Sequence, residues 1–98
     1  MRARARRVSL PIAMTYRIAG EADWNHSRLL NVSESGVLFG PTGLAPGTSV
    51  ELAFSLPLRV GSLTVGRLVR RGRIVRVTEL AAVGARFEPA ASESAIHG

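Results

Sequence analysis

The sequence predicts an all-β domain, a small antiparallel barrel of six or seven strands. Three observations predict it. Apolar residues recur at every second position over several short stretches. Glycine, proline, asparagine and serine, the residues of tight turns, separate those stretches. No stretch of helical period is long enough for an amphipathic helix of useful length. One set of alternating apolar side chains fills the inside of a closed sheet, and closure removes the open edges. With 98 residues, 46% of them hydrophobic and 20% charged, the chain suits one domain with one core and not a disordered segment.

In chain order, residues 1–7 read Met-Arg-Ala-Arg-Ala-Arg-Arg and have no strand or helix period, which predicts an extended basic arm. The barrel is expected over 8–88. Leu10, Ile12, Met14, Tyr16 and Ile18 alternate with Ala13, Thr15 and Arg17, the pattern of a half-buried strand. Pro11 lacks an amide donor and confines the start of that strand to an edge. After the polar link Ala19–Asp23, a second strand is expected from Trp24 or Ser27 to Val32, and a third from Val37 to about Gly40. Pro41, Gly43, Pro46 and Gly47 make the next segment a loop. Val50, Leu52, Phe54 and Leu56 form a fourth strand, closed by Pro57. From Leu63 to Val77 apolar residues and arginines mix around Gly66 and Gly72. Two readings stay open there: one long strand kinked by a bulge, or a hairpin turning near Arg70–Gly72. Alternation puts Arg71 and Arg73 on one face of this segment and Arg70 and Arg76 on the other. Val83, Ala85 and Phe87 make the last strand, and 89–98 is a small polar tail with at most one short helical turn around Ser92–Ile96.

The charge pattern narrows the classes of partner. Formal net charge is +6, and all thirteen basic residues are arginine. A GC-rich coding sequence favours arginine over lysine, and whatever its origin the guanidinium fork suits phosphates and guanine edges better than an ammonium does. An anionic partner is expected: nucleotide, nucleic acid, acidic protein or lipid. There are no cysteines, hence no disulfide and no thiolate metal site. No apolar run approaches the ~18 residues of a membrane span, and the basic N-terminus lacks the apolar stretch of an export signal. The expected compartment is the cytoplasm. Enzymatic chemistry is not expected. His26 and His97 are far apart and read as surface histidines, the seven acids are scattered, and no phosphate-binding glycine loop opens a helix. No cofactor or metal is expected.

The most informative stretch is Asn31-Val32-Ser33-Glu34-Ser35-Gly36, between two apolar strand segments. Asparagine and serine side chains bond nearby backbone in turns. Gly36 either takes positive φ or lets another group approach the backbone closely. The arm adds Arg2, Arg6 and Arg7. In these residues the chain resembles the PilZ domain family, whose signature is Arg-x-x-x-Arg ahead of the first barrel strand and Asp/Asn-x-Ser-x-x-Gly after the second. Arg2-Ala3-Arg4-Ala5-Arg6 matches the first motif and Asn31–Gly36 the second. Leu10-Pro11-Ile12 and Val83-Gly84-Ala85-Arg86-Phe87 resemble the family's first and closing strands, so the resemblance spans residues 2–87. The alternative register, judged by distance to the first strand, takes Arg7 for Arg6 but puts Ala3 in the first place and leaves the motif incomplete, so Arg2–Arg6, the one pair in the arm with that spacing, is preferred.

The resemblance implies a receptor for the bacterial second messenger cyclic di-GMP. Arg2 and Arg6 are then the clamp, and Asn31, Ser33 and Gly36 the floor. An arginine fork meets guanine O6 and N7 in a bidentate way, and charge-assisted bonds hold the phosphates. In that family the residue ahead of the first arginine bears on whether one nucleotide or a stacked pair binds, and Met1 in that place favours one. The expected output is a change of shape: nucleotide orders the arm and an effector protein reads the new surface. Two other readings remain, a small basic barrel binding RNA or DNA and a PilZ-like adaptor that has lost nucleotide binding. Against the nucleic-acid reading, only five aromatic residues exist and none interrupts Arg67–Arg76.

Overall fold

A computed structural model describes residues 12–89. Within them the chain forms six strands: β1 (Ile12–Ile18), β2 (Asn25–Val32), β3 (Gly36–Phe39), β4 (Ser49–Leu56), β5 (Gly66–Val77) and β6 (Val83–Phe87). All neighbours pair antiparallel, and the sheet closes on itself in the order β1-β2-β3-β6-β5-β4. No helix forms among the described residues, so none is long and apolar enough to cross a membrane. The arm 1–7, the start of the first strand at Leu10 and Pro11, and the tail from 90 onward lie outside the described residues.

Alternation explains the core. Val50, Leu52, Phe54 and Leu56 of β4 are all buried, and Val83, Ala85 and Phe87 of β6 face them from across the barrel. Leu29, Phe39 and Ile74 complete the centre, with Tyr16 tilted against Phe39 at 5.4 Å between ring centroids. Among the described residues no charged side chain is buried, so every arginine among them remains near the surface. Val60 and Leu63 close one part of the core from the β4–β5 connection. Their backbones bond reciprocally across Gly61 and Ser62, and Gly61 takes the positive φ of 57° that this two-residue turn needs.

Two β-bulges break the period of two. In the β2–β3 ladder Leu29 pairs with Phe39 and Asn31 with Leu38, which leaves Leu30 extra. Leu29 and Val32 are therefore both buried although three positions apart. In the β5–β6 ladder Ile74 pairs with Ala85 and Arg76 with Gly84, which leaves Val75 extra. The segment read as bulged strand or hairpin is thus one long bulged strand, β5, beginning at Gly66 and not at Leu63. Arg71 and Arg73 face outward as alternation requires, and Arg70 lies in the inward row with its guanidinium 4.5 Å from the Phe87 ring centroid. Arg76 is a correction to the sequence reading. The Val75 bulge shifts the phase and turns it outward, to the side opposite Arg70.

On the far side of the barrel Arg17 donates from Nε to Glu51 Oε1 at 2.6 Å and lies 4.7 Å from the Trp24 ring centroid, which makes Trp24 a rim residue. Arg71 reaches the other Glu51 oxygen at 3.7 Å. Both arginines are partly solvated, so the pair is worth little. Glu51→Gln is expected to lower stability by at most about 1 kcal/mol in urea denaturation, with the difference shrinking at high salt.

Candidate functional site

The Asn31–Gly36 stretch is a turn, and its local bonds account for the residue types. Ser33 donates its backbone N–H to the Gly36 carbonyl at 2.9 Å, closing the β2–β3 hairpin. The Ser33 hydroxyl lies 3.2 Å from that of Ser35 and accepts a long bond, 3.3 Å, from the Ser35 backbone N–H. Ser35 and Glu34 form the exposed tip. Beyond the turn Ser35 accepts at its carbonyl from the Phe87 N–H at 2.8 Å, tying the hairpin to β6.

Gly36 resolves the choice left by the sequence. It does not take positive φ; it permits close approach. A Cβ at this position would stand 2.2 Å from the Ala85 carbonyl oxygen and 3.2 Å from Arg86 Cα. Gly36 therefore lets β3 and β6 come together, a structural duty beside the ligand-floor duty that the resemblance implies.

Around this turn is an open concavity of about 960 Å³. That lies near the upper end of the roughly 300–1,000 Å³ usual for small-molecule sites. Asn31, Ser33 and Gly36 all line it, so the structure brings together the three floor residues expected from the sequence. Arg2, Arg6 and Arg7, the expected clamp, lie outside the described residues. The wall facing the turn is made by β5 and β6, with Arg76, Gly84 and Arg86, and Val60 and Gly61 contribute from the β4–β5 connection. The concavity lies on the outside of the barrel, because Gly84 and Arg86 alternate with the buried Val83, Ala85 and Phe87. Glu34 packs against Gly61, where an added Cβ would come within 2.6 Å of Glu34 Oε1. This contact couples the tip of the turn to the core-anchored β4–β5 connection.

Arg76 and Arg86 line the concavity but are not among the site residues expected from the sequence. Neither forms an ion pair among the described residues; the ion pairs there involve Arg17, Arg71 and Arg73. A partial signal for Arg76 exists in the sequence, because Ile74, Val75 and Val77 do not share one parity, a break that fits a bulge without requiring one. Arg86 follows from simple alternation, since it stands outward between Ala85 and Phe87. What the arrangement can do chemically is bind: it offers an amide, two hydroxyls, two guanidinium groups and the Glu34 carboxylate around an open floor. Among the described residues no cluster of His, Asp or Glu converges on a common point.

The described residues thus form a six-stranded closed barrel with an open concavity on its outer face. Its fold is that of a PilZ domain. The crystal structure of the PilZ domain of CeSA from a cellulose-synthesizing bacterium superimposes with a TM-score of 0.60 over 87% of this chain and 82% of that one, at 16% sequence identity. At that identity the likeness is one of fold. No family model and no curated protein sequence matches the chain.

Proposed function

We propose that the protein binds cyclic di-GMP in this concavity and passes the signal to an effector protein by ordering its N-terminal arm. One observation carries the reading. On a PilZ-like barrel, the Asn-x-Ser-x-x-Gly turn and two arginines with no acidic partner among the described residues share a single open site. The ligand has two phosphates and two guanines. Its phosphates call for guanidinium donors, and its guanine edges for bidentate forks and short polar side chains. Asn31 and Ser33 offer the short polar groups. Arg2 and Arg6, or Arg7 in the alternative register, would close over the nucleotide from the arm.

On this reading the protein is a cytoplasmic receptor and not an enzyme, needs no cofactor, and acts through a surface that changes when the arm is ordered. Titration calorimetry tests it. Micromolar binding of cyclic di-GMP is expected, lost on Arg6→Ala and weakened at least about tenfold by Ser33→Ala, with GTP giving no comparable heat. Silence with cyclic di-GMP, together with salt-sensitive retention of random oligonucleotides, would replace this reading with nucleic-acid binding. Silence in both assays would leave an adaptor that does not bind nucleotide.

A further inference from the structure

The arginines of the β5–β6 wall are placed by features that cost the barrel something. An arginine at position 76 of an unbroken strand would share the inward row with Ile74. The extra residue Val75 turns Arg76 outward instead, and a bulge is a recurrent way to re-aim one side chain beside a site. Its stem then crosses Gly84, where an added Cβ would lie 3.1 Å from both Arg76 Cγ and Nε. Gly84 faces outward yet is buried, because Arg76 covers it. Arg86 is two positions further along the same face of β6, about 7 Å away by strand geometry. It stands beside Gly36, its β3 partner, which offers no side chain to shield it. Its β5 partner is Arg73, a like charge directly opposite, and such pairs destabilise a sheet. Glu88, 3.9 Å from Arg73, offsets only Arg73. Glu34, the acid on the concavity wall, lies against Gly61 and pairs with neither arginine.

We infer that Arg76 and Arg86 form an anion site built into the barrel itself, which receives a phosphodiester of the bound nucleotide independently of the N-terminal arm. The inference deepens the reading above and rests on it for the identity of the nucleotide. The wall then fixes where the charge of the ligand sits. Guanidinium forks at diagonal positions of adjacent strands, about 7–8 Å apart at the backbone, are within reach of one phosphodiester on their long stems, and both groups are exposed enough to be met without rearranging the core.

The test uses the full chain, with Arg76→Ala, Arg86→Ala and, as a control from the outward face of β5 beyond the concavity, Arg67→Ala. Thermal melts establish that each variant is folded. Cyclic di-GMP affinity is measured by calorimetry, and the arginine Nε–H resonances are followed by NMR during separate titrations with cyclic di-GMP and inorganic pyrophosphate. Expected is a loss of about tenfold in affinity for each wall variant, with Arg67→Ala within about twofold of the parent; both probes are expected to shift Arg76 and Arg86 and not Arg67, cyclic di-GMP shifting the arm arginines as well. Gly84→Ala, which crowds the Arg76 stem, is expected to weaken binding without unfolding the barrel. If the parent binds cyclic di-GMP and the wall variants bind equally well, or all three substitutions weaken it alike, the anion site is wrong and the receptor reading stands. If the parent ignores cyclic di-GMP while pyrophosphate shifts Arg76 and Arg86 but not Arg67, the receptor reading falls and the anion site stands. No response to either probe overturns both.

Discussion

Gly36→Ala is expected to destabilise the barrel by about 3 kcal/mol, whatever it does to ligand binding. The added methyl would sit 2.2 Å from the Ala85 carbonyl oxygen, an atom of the β6 backbone that cannot swing aside as a side chain can. Relief requires β3 to move away from β6, along a ladder of only four residue pairs and against the Ser35–Phe87 backbone bond at its end. For a domain of this size 1 kcal/mol corresponds to roughly 4–8 °C, so the melting temperature should fall by more than about 10 °C. Far-UV circular dichroism against temperature measures this directly. Ser33→Ala, which removes only exposed turn bonds, should melt within a few degrees of the parent. An unchanged melting temperature for Gly36→Ala would mean that the close approach of β3 and β6 is wrong. The comparison also guards the binding assays: loss of nucleotide binding in a Gly36 variant reports on folding first, whereas loss in a Ser33 variant reports on the site.

Phe39→Ala should cost about 3–5 kcal/mol. Phe39 is fully buried at the end of the shortest strand, opposite Leu29 on one side and Val83 on the other, with the Tyr16 ring against it. These neighbours belong to β1, β2 and β6, each fixed by its own ladder, so the space left by the ring cannot collapse easily. Leu58→Ala removes an apolar side chain of which 41% is exposed and should cost less than about 1 kcal/mol. Urea denaturation of the two variants gives the contrast. Similar midpoints would show that Phe39 is not at the centre of the core.

The strands were legible in the sequence because alternation is dictated by the side chains alone. Val50, Leu52, Phe54 and Leu56 declare their inward face without reference to any partner strand. The bulges were harder, because an extra residue is defined only against the strand it pairs with. Leu29, Leu30 and Val32 carry a parity break that one strand read in isolation leaves ambiguous, and the same holds for Ile74, Val75 and Val77. The candidate site divided along this line. Asn31, Ser33 and Gly36 are local in sequence, so their grouping was visible as a motif. Arg76 and Arg86 join them only through the β3–β6–β5 pairing, and that adjacency is a property of the closed topology.

That closure has a consequence for how the protein can be read by others. Among the described residues each of the six strands has a neighbour on both sides, but the ladders are unequal: β6 pairs β5 only from Gly72 onward, so Gly66–Arg70 of β5 have a strand partner on the β4 side alone. Strand addition has that short flank of β5 to use, and elsewhere the barrel offers side chains. On the long β5 those are arginines and valines in outward alternation, Arg67, Val69, Arg71 and Arg73. The surface chemistry there is open to substitution without disturbing the fold.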